Sequence, residues 1–208
     1  MCINLCSSLK ELSIGSIVKS DDIFEIDDYT SIYENILDRS SKNLEKLSVT
    51  CIDDSRIALS IYSYLISDLL KLKYLDLSSC KWITDDVIKS FSDLPKLEVL
   101  KICGIEEFSG LVLVNNNFPN LKELHCQNCY ALKDEHLINF LKCADKLELL
   151  DVIGCRKITN SSIKTAIEVT KNRTNNLLLE IRIKNTLINI NEIEEISPLL
   201  YLNTFRFK

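Results

Sequence analysis

The chain has 208 residues, 46% of them hydrophobic and 26% charged, and a net charge of −5. That length suits one domain with a well-buried core. The acidic balance disfavours nucleic acid and anionic membrane as main partners, and no run of about 18 apolar residues marks a transmembrane helix. The N-terminus MCINLCSSLKEL lacks a basic stretch followed by an apolar one, so no secretory leader is expected. The 9 cysteines are then free thiols of a reducing compartment, cytoplasmic or nuclear.

The first predicted element is a short strand carrying Leu9, Leu12 and Ile14. An acidic stretch, SDDIFEIDDY, follows and reads as a solvated loop before a helix, SIYENILDRSS. The strand pattern Leu-x-x-Leu-x-Leu then returns at Leu44/Leu47/Val49, Leu72/Leu75/Leu77 and Leu97/Leu100/Ile102. It continues at Leu121/Leu124/Cys126, Leu147/Leu150/Val152, Leu178/Ile181/Ile183 and Leu202/Phe205/Phe207. The starting positions differ by 35, 28, 25, 24, 26, 31 and 24, a period that signals repeats.

Three of the units extend further. Cys80, Cys129 and Cys155 each follow the first leucine of their unit by 8 residues. Ile83, Leu132 and Ile158 come next, then Ile88, Leu137 and Ile163, with Phe91, Phe140, Leu141, Ala166 and Ile167 at helical spacing. The period switches from two to 3.6, so each unit is strand, turn and helix. Thr84, Asp134 and Thr159 stand where helix N-caps belong.

The segments LKYLDLSSCKWITDDVI, LKELHCQNCYALKDEHL and LELLDVIGCRKITNSSI resemble the cysteine-containing leucine-rich repeat. That repeat type occurs in F-box proteins of cullin ubiquitin ligases and in related mitotic-exit regulators. The resemblance implies an α/β leucine-rich-repeat solenoid: one domain over residues 1–208, about eight repeats, a parallel sheet on the concave face and helices on the convex face. It also implies a protein-protein interaction module that reads substrates for ubiquitin-dependent degradation. The alternative is a repeat scaffold or regulator with no ligase link. No F-box precedes the repeats here, so cullin ligase components would be reached through a missing or separate F-box. The ends show no polar cap, which implies a longer gene product or a covering subunit.

The cysteines bear on whether the chain is an enzyme. In stacked rungs Cys80, Cys129 and Cys155 form a column at the inward turn, where a small residue packs and its thiol meets turn carbonyls. Cys126-Gln-Asn-Cys129 after His125 looks like half a zinc site, but His125 and Cys126 point to opposite faces of a strand and no second pair completes four ligands. A Cys129–Cys155 disulfide fits neighbouring rungs, yet a reducing compartment keeps thiols apart. His125 and His136 read as solvated surface residues, not as bases for a nucleophilic cysteine. No metal, cofactor or catalytic residue is expected, and Cys80 reads as packing.

Function then belongs to the outward positions of the strands. The candidate partner-binding residues are Tyr74, Asp76, Val99, Lys101, Glu123, His125, Leu149, Asp151, Ile153, Arg182, Lys184 and Arg206. Tyr74, Val99, Leu149 and Ile153 form an expected apolar centre, as interfaces have. Arg182, Lys184, Arg206 and Lys208 form an expected basic end suited to an acidic or phosphorylated segment. Trp82 reads as a partly buried cover over a neighbouring turn.

Overall fold

The computed structural model describes residues 8–15, 41–50, 69–80, 83–91, 94–114 and 118–204. The acidic stretch, the helix expected after it, Trp82, Arg206 and Lys208 lie outside them.

A unit of this repeat cannot bury its apolar face alone, so its leucines find partners only in the next unit. The strands β1 (Glu11–Ile14), β2 (Lys46–Val49), β3 (Tyr74–Asp76) and β4 (Val99–Lys101) are followed by β5 (Glu123–His125), β6 (Leu149–Asp151), β7 (Leu179–Arg182) and β8 (Leu200–Asn203). They form one sheet in sequence order. Every neighbouring pair is parallel. Leu47, Leu75, Leu100, Leu124, Leu150 and Ile181 stand in one column across six rungs, each at most 1% exposed. Leu72, Leu97, Leu121 and Leu147 close the core on one side of that column, and Leu77, Ile102, Cys126 and Val152 on the other. Each buried aliphatic side chain of this kind contributes roughly 1.5–3 kcal/mol.

Among the described residues, three helices cover the inner face of the sheet: α1 (Asp85–Ser90), α2 (Asp134–Cys143) and α3 (Asn160–Lys171). Ile88 and Phe91, then Leu137, Phe140 and Leu141, then Ile163 and Ala166 join the core of the sheet. This is the α/β leucine-rich-repeat solenoid, with sheet on one face and helices on the other. Among the described residues, the rungs after β4 and β7 carry 3-10 turns in place of helices, Leu111–Leu113 and Ile190–Glu192. Gly110 replaces the aspartate that opens α1 and α2. Its φ is +88°, and a Cβ there would meet Leu132 Cδ1 at 2.5 Å.

The turn after each strand repeats with equal regularity. Ser79, Gly104, Asn128, Gly154 and Asn185 occupy equivalent places and all have positive φ, between 57° and 76°. Glycine adopts that backbone freely, and asparagine at small cost. Interstrand hydrogen bonding continues through these turns: Ser79 N donates to Cys103 O (2.7 Å), Gly104 N to Gln127 O (2.7 Å), Asn128 N to Ile153 O (2.7 Å) and Gly154 N to Lys184 O (2.8 Å).

The helix starts show how rungs lock together. Thr84 and Thr159 cap α1 and α3, accepting from Val87 N and Ser161 N. Asp134 is not the cap expected of it: Lys133 holds the cap position and Asp134 is the first helical residue. Its carboxylate instead reaches the next rung, where it accepts from Thr159 N (3.1 Å), Thr159 Oγ1 (2.6 Å) and Ser162 Oγ. Asp85 repeats the device on Ser109 N (3.1 Å) and Ser109 Oγ (2.6 Å). Asn160 bonds Asn189 N (2.8 Å) and Asn189 O (3.0 Å). Between β4 and β5, where Gly110 has no side chain, His136 Nδ1 meets Ser109 O at 2.9 Å.

The last repeat departs from the expected spacing. Leu202 pairs with Ile181, so its motif starts at Leu199 and not at Leu202. In the preceding repeat Leu178 is 50% exposed and Leu179 is buried. The strand frame there is set by Leu179, Ile181 and Ile183, which alternate without a break.

If Asp134 locks its rung to the next, Asp134→Ala should lower stability by about 2 kcal/mol, because it strands the Thr159 and Ser162 donors. Urea unfolding of the variant against Glu135→Ala, an exposed neighbour, measures this.

Candidate functional site

The alternation of the strands sends two continuous columns of side chains to the outer face of the sheet. The first runs Glu11, Lys46, Tyr74, Val99, Glu123, Leu149, Glu180 and Tyr201. The second runs Ser13, Ser48, Asp76, Lys101, His125, Asp151, Arg182 and Asn203. Ser78, Cys103, Gln127, Ile153 and Lys184 follow in the turns. Of the residues expected on this face, all but Arg206 and Lys208, which lie outside the described residues, are placed here. In the final rung Tyr201 and Asn203 face outward, and Asn203 takes the position expected of Arg206.

The N-terminal half of this face centres on Tyr74. Lys46 Nζ lies 4.9 Å and Lys101 Nζ 5.3 Å from the centre of its ring, one from each neighbouring strand. Its hydroxyl reaches Asp76 Oδ2 at 3.4 Å. Burial works against the Lys101 ammonium, but the Tyr74 hydroxyl and the Asp76 charge outweigh it and hold the pKa above the usual lysine value. Val99 is the neighbour of Tyr74 on β4, and both are half-buried.

The other half is a chain of paired charges. Glu123 Oε2 and His125 Nε2 are 3.0 Å apart, and His125 Nδ1 lies 3.9 Å from Asp151 Oδ2. Gln127 Nε2 donates to Asp151 Oδ2 (2.6 Å), and Ile153 N to Asp151 Oδ1 (3.2 Å). Arg182 bridges Asp151 (3.5 Å) and Glu180 (2.9 Å), and Asn203 Nδ2 donates to Glu180 Oε1 (2.9 Å). Burial alone would raise the pKa of Glu180, but hydrogen bonds from Arg182 and Asn203 hold it below the usual carboxylate range.

This geometry corrects four expectations. Asp151 is 0% exposed, so it organises its neighbours and does not itself face a partner. His125 is 8% exposed and His136 half-buried, so neither is a solvated surface residue. The apolar centre is divided: Glu123 separates Val99 from Leu149, and the Asp151 network lies between Leu149 and Ile153 along β6. The basic end is neutralised at Arg182 by Asp151 and Glu180. Periodicity reveals which residues share a face, but not which of them are covered by longer neighbours.

A second array was not foreseen. Where the strands begin, Lys10, Glu45, Lys73, Glu98, Lys122 and Glu148 alternate in sign from rung to rung. Glu45 sits 3.2 Å from Lys10 and 2.9 Å from Lys73, and Lys122 sits 2.9 Å from Glu98. Hydrogen bonds from Lys73 and Lys10 hold Glu45 below its usual pKa, and the one from Lys171 does the same for Glu195. The signal was available in sequence as opposite charges one repeat apart.

The cysteine column behaves as the packing argument requires. Cys80 Sγ donates to Val49 O (3.1 Å), Cys129 Sγ to Ile102 O (3.1 Å) and Cys155 Sγ to Cys126 O (2.9 Å). Each thiol thus bonds to the rung before it. Cys103, Cys126, Cys129, Cys143 and Cys155 are thiols outside any disulfide. The Cys155 thiol and then burial push Cys126 well above the usual thiol pKa, and burial does the same for Cys129.

No known family's sequence model matches the chain. No curated protein matches it in sequence. Among 20 solved chains that match in structure is one from the crystal structure of the Rad7 and Elc1 complex in yeast. The two superpose with a TM-score of 0.61 at 13% identity, over 85% of this chain and 51% of that one. The chain therefore spans about half the length of that neighbour, and at this identity the likeness is one of fold. No helix among the described residues is long and apolar enough to cross a membrane.

Two measurements follow from these environments. Among the cysteines of the described residues, iodoacetamide at neutral pH should label the exposed Cys143 first, and Cys126, Cys129 and Cys155 only on unfolding; peptide mass mapping against time reads the order. Glu45, Glu180 and Glu195 have folded pKa values below their unfolded ones. The stability they lend is present above about pH 4.5 and is lost as pH falls through the folded values. The melting temperature should therefore drop from about pH 5 toward pH 3, less steeply in Glu180→Gln.

Proposed function

We propose that this chain is a protein-interaction module that reads a partner through the outer face of its sheet, and that it serves as substrate-recognition part of a cullin-type ubiquitin ligase. The observation that carries the first half is the face itself. Two columns of aromatic, aliphatic and paired charged side chains, half-buried or buried from Tyr74 and Asp76 to Glu180 and Asn203, are fixed by an eight-stranded sheet. Such groups are held before a partner arrives, so little side-chain freedom is lost on binding. Tyr74 between two lysines, with Val99 beside it, has the composition of an interface anchor.

The ligase role is supported by the cysteine turn signature of LKYLDLSSCKWITDDVI and its two sister segments. It is supported also by likeness of fold to a chain solved in complex with Elc1. Cullin components would engage through an F-box or adaptor-binding segment outside these repeats. We further propose that the chain is not an enzyme: its inward cysteines have raised thiol pKa values, unlike nucleophiles. The compartment proposed is cytoplasm or nucleus. A scaffold or regulator with no ligase link is the second reading, because the same preformed sheet face would serve it equally well.

Affinity capture from a lysate of the source organism, with a Tyr74→Glu/Leu149→Glu variant beside the wild type, tests the proposal. One protein should be recovered by the wild type and reduced about tenfold or more in a folded variant. Equal recovery by both would overturn the sheet-face reading. Partner recovery with no cullin or adaptor from a full-length native form would leave the scaffold reading in place of the ligase one.

A further inference from the structure

A second surface lies on the turn rim, away from the paired charges of the sheet. The second residue after each left-handed turn residue projects there: Glu106 after Gly104, Tyr130 after Asn128, Arg156 after Gly154 and Leu187 after Asn185. All four are exposed, Tyr130 by 43% and Leu187 by 63%. The rungs that carry them are joined by the backbone bonds of the turns, Gly104 N to Gln127 O, Asn128 N to Ile153 O and Gly154 N to Lys184 O. Arg156 Cζ lies 5.4 Å from the centre of the Tyr130 ring, so this pair is already stacked. Leu187 N donates to Ile158 O at 2.9 Å, which ties the last of these turns to the one before.

Along the rim the order is acidic, aromatic, basic, aliphatic. Glu107 and Lys157, both exposed, double the acidic and the basic step. Among the described residues none of Glu106, Glu107, Arg156 and Lys157 is in an ion pair. On the sheet face, by contrast, Glu123, Asp151, Glu180 and Arg182 neutralise one another. Charges without partners of their own are the ones an incoming molecule can complement without breaking an existing pair. Tyr and Arg are also the residue types that concentrate binding energy.

The spacing selects the shape of the partner. Rungs of a parallel sheet repeat at about 4.8 Å, and an α-helix advances about 5.4 Å per turn. Four rungs span ~14 Å and three helical turns ~16 Å, so a helix laid along the rim meets each rung with one residue per turn. An extended peptide, at about 3.3 Å per residue, falls out of step.

We propose that this rim binds an amphipathic helix of a partner protein, whose contact stripe reads basic, apolar, acidic, apolar against Glu106, Tyr130, Arg156 and Leu187. This surface is separate from the sheet face and does not depend on it.

The test uses two synthetic Ala- and Gln-rich helical peptides. One carries Lys, Leu, Glu and Leu on a single stripe, one residue per turn. The other has the Lys and Glu exchanged. Fluorescence anisotropy at low salt should show the first binding at least about tenfold tighter than the second. In the variant Glu106→Lys/Glu107→Lys/Arg156→Glu/Lys157→Glu the preference should reverse. These positions are exposed, and a circular dichroism melt verifies that the variant folds. The sheet-face variant Tyr74→Glu/Leu149→Glu should keep the wild-type preference, which separates this rim from the sheet-face proposal. Equal binding of both peptides, no binding of either, or a preference that survives the charge reversal would overturn the proposal. So would concentration-dependent self-association in sedimentation that the charge-reversed variant abolishes, which would make a second copy of the chain the occupant.

Discussion

Each strand of this sheet has only three or four residues and pairs its backbone with the strands of neighbouring rungs. Everything else depends on parallel stacking of one rung on the next. Stacking pairs the backbone groups of β1 to β8, and it turns the inward leucines into a closed core. It also explains why the regular spacing of the repeats matters more than any single residue. A rung with the wrong frame would present its apolar set to solvent, because the side-chain period is two. Beyond the strands, the register is held by interactions that exist only between rungs. The cysteine thiols donate to the preceding rung, Asp85 and Asp134 accept from the following one, and opposite charges alternate at the strand starts.

These three systems differ in what they contribute. The exposed alternating charges add little stability individually, because water screens them and long side chains must be ordered to meet. Like charges would face each other if a rung were skipped, so the ladder acts against misregister more than for stability. The aspartate locks are partly buried and satisfy backbone donors that a turn would otherwise strand. One exception is telling. Asp85 Oδ1 is buried without a partner among the described residues. The Ser162 that serves Asp134 has Val112 as its equivalent one rung beyond Asp85, and valine has no hydroxyl to give.

Much of the fold was legible in the chain. The Leu-x-x-Leu-x-Leu frame located seven of the eight strands, and the cysteine-bearing units gave the three helices among the described residues, because both rest on periodicities that burial enforces. The frame failed at β8, where Leu199, Leu200 and Leu202 offer two alternations and Phe205 and Phe207 a third. Only pairing with Ile181 and Leu179 decides among them. The candidate face was legible as a set of positions and illegible as a surface. His125 and Asp151 point outward as alternation demands, yet Glu123, Gln127 and Arg182 close over them. Such coverage depends on side-chain reach between repeats, which no spacing within one repeat records.

The distribution of paired and unpaired charge also bears on how two surfaces of one solenoid would work. Where Glu123, His125, Asp151, Arg182 and Glu180 already saturate one another, a partner gains little from adding charge, since each new contact competes with an existing one. Such a face would discriminate by shape and by its apolar members, Tyr74, Val99 and Leu149, of which Tyr74 is held by Lys46, Lys101 and Asp76. At the rim, Glu106 and Arg156 are exposed and solvated, so a complementary charge adds attraction at long range and speeds encounter. Salt should therefore weaken recognition at the rim more than at the sheet face, because screening acts on exposed charges and leaves buried pairs and apolar contacts largely intact.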